Sequence, residues 1–208
     1  IVDKDFDKKV LRTKKRPLAS GMISVKKSLV YVVGLCFLAF LILIQFNFKT
    51  ILLGMSSMLL AFSYPFMKRF TYWPQLFLGL TFNWGVIMAW VSINNDISLQ
   101  IIFLYIAAIF WTLGYDTIYG AQDIADDEVI GLKSTSIKFK KKIKFFVCTS
   151  YLITSALLII LFFEKIGKNM FSFLLLLFVV SLIYQVINFN KNAPKTCLKT
   201  FKFNNYSG

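Results

Sequence analysis

The sequence predicts an all-α fold, a polytopic transmembrane bundle of about six spans. Three observations carry this expectation. Of the 208 residues, 57% are hydrophobic and 17% aromatic, a composition outside the range of ordinary soluble domains. Six apolar runs, at residues 28–46, 50–67, 75–93, 97–115, 145–163 and 170–189, each have about the length a helix needs to cross roughly 30 Å of hydrocarbon. Basic residues fall in alternate loops: residues 1–27, 66–74, 115–144 and 190–208 hold 21 of the 24 Lys and Arg, and the intervening connections hold only Lys49, Lys165 and Lys168.

That alternation orders the elements along the chain. The basic connections lie on the cytoplasmic side and the thin ones on the far side, as the positive-inside rule requires. Pro74 opens the third span, the Asn94-Asn95-Asp96 triplet ends it, and EKIGKN at residues 164–169 separates the fifth from the sixth. Runs such as SALLIILFF and FSFLLLLFVV are apolar on every side, which suits lipid-facing helices and excludes the alternating pattern of a membrane barrel. No Gly/Ser-rich or Pro-rich linker divides the chain, so residues 1–208 are expected to form one integral membrane domain. The opening without Met and the stop at Gly208 suggest a domain incomplete at both ends.

Charge distribution and residue types narrow the chemistry. A net charge of +14 raises nucleic acid as a partner, but its confinement to one set of loops is a membrane-topology pattern instead. Cys36, Cys148 and Cys197 lack metal-ligand spacing and are expected to be unpaired structural residues. Histidine is absent, so the chemistry must run on carboxylates, basic groups, hydroxyls and phenols.

Eight of the ten acidic residues fall in two short stretches, 3–7 and 116–128, both on the cytoplasmic side by the charge argument. Asp3 and Asp7 are four apart, Asp123 and Asp127 are four apart, and Asp116 stands seven before Asp123. On a helix these spacings put each pair, and Asp116 with the second pair, on a common face. Two fans of hard oxygens facing one another suit Mg²⁺, which uses one or two carboxylates per ion and completes its shell with water and substrate phosphates. The alternative is a pair of solvated acidic loops balancing nearby lysines. Calcium-loop spacing with its Gly turn is missing.

Cations of the right kind stand nearby in sequence. Arg12 and Arg16 follow the first patch, Lys133 follows the second, and YPFMKRFTYWPQ places Lys68 and Arg69 at the end of a span. Such groups can grip a diphosphate and stabilise the charge that grows on it as it leaves. Topology alone also explains most of the lysines. Tyr64, one turn before Lys68, is either part of the same site or an interfacial tyrosine.

The stretches YDTIYGAQDIADDEVIGLKST, DKDFDKKVLRTKKRPLASG and YPFMKRFTYWPQ, in that arrangement along nearly the whole chain, resemble the intramembrane aromatic prenyltransferase superfamily, most closely its 4-hydroxybenzoate polyprenyltransferase branch of ubiquinone biosynthesis. The family's first signature runs Asn-Asp-x-x-Asp-x-x-x-Asp; Asp3 and Asp7 match its latter part, and the leading Asn-Asp would lie before residue 1. Its second signature, Asp-x-x-x-Asp, falls on Asp123 and Asp127, the earlier family aspartate on Asp116, and the family's Tyr and Lys near the diphosphate on Tyr64 and Lys68.

What the resemblance implies is a fold of about nine helices around a central cavity, of which this chain holds roughly the third to the eighth. It implies Mg²⁺-dependent transfer of a polyprenyl group from polyprenyl diphosphate to the ring of 4-hydroxybenzoate. Asp3, Asp7, Asp123 and Asp127 would be the metal ligands, and Asp116 would act as base or substrate-orienting group. Tyr64, Lys68, Arg69, Arg12, Arg16 and Lys133 would lie around the substrates. The lipid bilayer, here the bacterial inner membrane, delivers the donor, with the site on the cytoplasmic side and no nucleic-acid partner. The competing readings are the haem farnesyl, menaquinone and chlorophyll branches of the superfamily, and a divalent-cation transporter, which would instead place its carboxylates at mid-span on broken helices.

Overall fold

The computed structural model of the protein describes residues 1–9 and 13–208, so Arg12 lies outside the described residues. Helices α1 (Lys4–Lys9), α2 (Val25–Leu43), α3 (Phe48–Phe70), α4 (Pro74–Phe82), α5 (Trp84–Asn94) and α6 (Leu99–Gly120) lead to a short 3₁₀ turn at Ala121–Asp123. They are followed by α7 (Ile124–Val129), α8 (Thr135–Lys138), α9 (Ile143–Leu161), α10 (Met170–Asn188) and α11 (Pro194–Ser207), with no strand among the described residues. Six segments are long and apolar enough to cross a membrane: α2, α3, α4 with α5, α6 extended to Val129, α9 and α10. The expected all-α bundle is therefore the observed one.

The thin connections come together at one end. Lys49 Nζ donates to the Asn95 carbonyl and Asn47 Nδ2 to the Val91 and Ser92 carbonyls, joining two of the connections expected on the far side. At the opposite end the Lys133 amide donates to the Lys68 carbonyl and Lys191 Nζ to the Lys140 carbonyl, joining the basic connections. Caps of the expected kind start the spans, with Ser24, Asn47, Ser98 and Asn169 accepting from backbone amides three residues on.

The centre of the bundle is α6, which buries residues from Ile101 to Ile118. Its closest partner is α9, and the contact depends on Gly114: a Cβ there would collide with the Tyr151 ring. On its other side α6 meets α4, where a Cβ on Gly79 would stand 3.1 Å from the Ile109 carbonyl oxygen. Small residues at such crossings let helix backbones approach closely, the main source of helix association in lipid. Helix α2 buries none of its residues and is apolar all round, consistent with a lipid-facing element.

Two elements depart from the sequence expectation. The third span is interrupted at Asn83, which separates α4 from α5. Its carboxamide covers the break by donating to the Gly79 carbonyl at 2.8 Å, the Ala108 carbonyl at 3.3 Å and Thr112 Oγ1 at 2.8 Å. Apolar periodicity cannot register a break whose polar groups are repaired by a neighbouring helix.

The second departure is the stretch 190–208, read from its lysines as a cytoplasmic loop. It is mostly helix α11, and its end shares an apolar cavity with Trp111, Leu174 and Phe178, well inside the spans. A polar clasp holds it there. Tyr151 Oη donates to Gln185 Oε1 at 2.7 Å, Gln185 Nε2 donates to Asn204 Oδ1 at 3.1 Å, and Trp111 Nε1 donates to the same Asn204 oxygen at 3.2 Å. The three cysteines are free, as expected.

Candidate active site

Both acidic stretches and the end of α3 line one cavity of about 250 Å³ at the basic end of the bundle. Asp3 and Asp7 enter from the N-terminal segment, Asp7 from within α1 and Asp3 just before it. Asp116 comes from the last turns of α6, Asp123 from the 3₁₀ turn and Asp127 from α7. Arg16, Tyr64, Lys68 and Lys133 line the same cavity. Residues separated by more than 120 positions in sequence therefore meet, because the cavity sits where the basic connections converge.

The expected common helical face is corrected in detail. Asp116 and the pair Asp123 and Asp127 are not on one continuous α-helix, since α6 ends at Gly120 and a 3₁₀ turn intervenes before α7. The bend still leaves all three facing the cavity. Arg69 does not line it. Its guanidinium donates to the Val2 carbonyl at 3.0 Å, lies 3.8 Å from Asp3 and stacks over Phe6 and Phe66.

The cations and the first acidic stretch pair with each other. Lys68 Nζ lies 2.7 Å from Asp3 Oδ2, and Arg16 Nη1 donates to both oxygens of Asp7 at 3.1 Å. Lys133 Nζ donates to the Phe70 carbonyl at 3.2 Å and sits over the Tyr72 ring. Asp116 differs from these acids: no described residue forms a hydrogen bond or ion pair with its carboxylate.

Behind the acids lies a buried polar floor that the sequence reading missed. Gln75 Oε1 accepts from the Thr135 amide at 3.0 Å, Ser136 Oγ donates to the Thr117 carbonyl at 2.7 Å, and the hydroxyls of Thr117 and Thr135 are 2.7 Å apart. Thr117 Oγ1 spends its single proton on the Leu113 carbonyl at 2.6 Å, so Thr135 is the donor in the hydroxyl pair. This lattice fixes the 133–136 segment, and with it Lys133 and Ser134, against α6. Gln75 lies inside the quoted YPFMKRFTYWPQ motif, where its place directly after the Pro74 helix start was the available signal.

The donor set fits a hard divalent cation in chemistry: aspartate oxygens among other oxygen groups, with no sulfur or imidazole among the described lining residues. Among the described residues no three acidic side chains converge tightly enough to hold an ion by themselves. That suits Mg²⁺ bound by one or two carboxylates and by oxygens of a substrate, and it does not suit an all-protein metal cage.

The sequence matches the family model described as UbiA prenyltransferase family over residues 1–206. A mitochondrial 4-hydroxybenzoate polyprenyltransferase from Caenorhabditis elegans is 52% identical over 137 residues, 65% of this chain and 38% of that protein. The Bos taurus protein of the same name is 40% identical over 208 residues, 99% of this chain and 56% of that one. A 4-hydroxybenzoate geranyltransferase from Lithospermum erythrorhizon is 39% identical over 208 residues, covering 99% and 68% of the two chains. This chain thus spans about 40 to 70% of the length of these relatives. Among solved structures, an apo UbiA homolog from Aeropyrum pernix superposes with a TM-score of 0.78 at 24% identity, covering 98% of this chain and 81% of that one. A digeranylgeranylglyceryl phosphate synthase does so at 0.69 and 18%, covering 99% and 73%. The structural likeness speaks for the fold, and the sequence match, running to within two residues of the last, speaks for descent: the chain belongs to the UbiA prenyltransferase family.

Proposed function

We propose that the protein transfers a polyprenyl group from polyprenyl diphosphate to the ring of 4-hydroxybenzoate, in ubiquinone biosynthesis. The observation that carries this reading is the single cavity shared by Asp3, Asp7, Asp116, Asp123 and Asp127 with Lys68, Arg16 and Lys133. Relatives named for 4-hydroxybenzoate prenylation, at 39 to 52% identity, favour that acceptor over the other branches of the superfamily.

Asp3, Asp7, Asp123 and Asp127 would hold Mg²⁺. Held there, the ion would supply positive charge to neutralise the diphosphate and improve it as a leaving group. Lys68 and Arg16 exchange their carboxylate partners for diphosphate oxygens, so the charge that accumulates as the leaving group departs meets fixed cations. Tyr64 stands one helical turn from Lys68 on the same wall and orients the diphosphate by its phenol. The allylic C–O bond breaks with its electron pair going to the diphosphate. The ring carbon ortho to the hydroxyl of the acceptor then bonds to the allylic carbon, and the ring proton leaves to a base. Asp116 is our candidate for that base, being a carboxylate at the cavity that pairs with no cation among the described residues.

A membrane site fits a donor that is itself a lipid. The relatives named mitochondrial extend the expected bacterial inner membrane to a mitochondrial one, with the site on the side bearing the basic connections. The transporter reading draws support from the interrupted helix at Asn83, but that break carries no acid and its freed groups are paired within the bundle. The test is transfer of a radiolabelled prenyl group to 4-hydroxybenzoate by membranes containing the full-length protein, with and without chelator. No labelled aromatic product at any magnesium concentration would refute the reading.

A further inference from the structure

The side chain of Gln75 is only 6% exposed, yet half of its carboxamide has no partner among the described residues. Gln75 is the second residue of α4, held by Pro74 at the helix start, and it lines the acidic cavity. The Thr135 backbone N–H can only donate, so the group it meets at 3.0 Å is the Gln75 oxygen. The amide orientation is thereby fixed, and Nε2 must point the other way. There it stands 3.1 Å from the place a Cβ on Gly120 would occupy. Gly120 is one turn beyond Asp116 on α6 and lines the same cavity, and its missing side chain lets Gln75 Nε2 and Ser136 Oγ pack closely against the helix there.

Nε2 is not among the buried atoms left without a partner, which among the described residues are Asp3 Oδ1 and Arg69 Nε, so its unspent protons stay accessible from the cavity that Gln75 lines. Arg16, Lys68 and Lys133 line the same cavity, so an anionic group finds cationic partners there beside the five aspartates. We propose that Gln75 is a substrate-binding residue, whose Nε2 donates into the acidic cavity beside Gly120 to an oxygen of an anionic substrate group. That group is a diphosphate or an aromatic carboxylate. The Oε1 contact to Thr135 positions the donor, so one side chain both ties the 133–136 segment down and reads the substrate. This inference rests on the prenyl-transfer reading.

The test uses Gln75→Met and Gln75→Glu in the full-length protein. Glutamate keeps an oxygen to accept from the Thr135 N–H but loses the amide donor; methionine loses both. Steady-state kinetics should show the KM of one anionic substrate raised about tenfold or more in both variants, the size expected for losing a hydrogen bond to a charged group, with the other KM within about twofold. A rise for the prenyl diphosphate assigns Nε2 to the diphosphate, and a rise for 4-hydroxybenzoate assigns it to the carboxylate. The Gln75→Glu protein should melt near the parent. Unchanged KM values in both variants, or a fall in kcat and melting temperature without a selective KM change, would reduce Gln75 to an anchor and overturn the inference. Calorimetry with inorganic diphosphate plus Mg²⁺, and separately with 4-hydroxybenzoate, reads the same contact without turnover. A parent that binds neither refutes the prenyl-transfer reading itself, whereas a parent and variants that bind equally well refute only the role of Gln75.

Discussion

Lys68 and Asp3, 65 positions apart in sequence, form a 2.7 Å ion pair across the mouth of the acidic cavity. Both side chains are roughly a quarter exposed, at 27% and 29%, so the pair is only partly screened by solvent. Its partners were expected to serve different ligands, the lysine a phosphate and the aspartate a metal. Under the proposed function, their mutual neutralisation would hold both groups in place until a ligand of each kind binds.

Lys68→Ala is accordingly expected to raise the KM of the prenyl diphosphate, or lower the rate, by roughly tenfold or more, the loss of a charge-assisted contact worth about 1.5 to 3 kcal/mol. The KM of the acceptor should barely move. Lys68→Arg should recover only part, because a planar fork does not replace a compact ammonium at a fixed distance. Steady-state kinetics for both substrates check this, and an unaltered donor KM at full rate would remove Lys68 from the site.

Asp123→Asn and Asp127→Asn should each abolish prenyl transfer while the protein still inserts and accumulates, since each removes an anionic oxygen from the second acidic stretch. Turnover retained in the double variant, measured at saturating magnesium, would make that stretch a solvated loop.

Thr117→Val should lower the thermal midpoint without altering insertion. It strands the Thr135 hydroxyl proton in a fully buried place, at a cost of about 1 to 3 kcal/mol. Thr117→Ser should retain most of the stability, because its hydroxyl can still accept from Thr135. Equal melting of the valine and serine variants would show that the pair contributes nothing.

Gly120→Leu should suppress activity more than Gly120→Ala. A Cβ there would stand 2.7 Å from Ser136 Oγ and 3.1 Å from Gln75 Nε2, and a longer side chain would press on Gln75 and intrude on the cavity both residues line. Comparing the two variants for turnover and for melting separates a blocked cavity from a disrupted fold; a leucine variant with parental rate would mean the close packing at Gly120 does not matter to the site.

The alternation of basic connections also predicts the sidedness. Reporters fused after residues 20, 70 and 138 should read on the side bearing the basic loops, and fusions near 48, 95 and 167 on the opposite side. A fusion at 167 reading with the basic loops would break the assignment of α9 and α10 as spans.

The sequence by itself determined the helical membrane class, the candidate spans, the division of their connections into a basic and a thin set, and the two acidic stretches. These follow from local quantities: apolar run length, charge per loop and spacing along a helix. It also named most residues of the cavity, because carboxylates beside apolar spans are too costly to pass as background. Only the tertiary structure decided which charges pair, that Arg69 serves Val2 and Asp3 without lining the cavity, and that Asp116 has no cationic partner among the described residues. The break at Asn83, the inward packing of α11 and the carboxamide of Gln75 were equally hidden. Each rests on a polar group satisfied by a partner distant in sequence: Thr112 for Asn83, Gln185 for Asn204 and Thr135 for Gln75. In lipid, such a partner turns a residue that looks like a loop or breaker into part of the core, and its identity is fixed by which helices lie side by side.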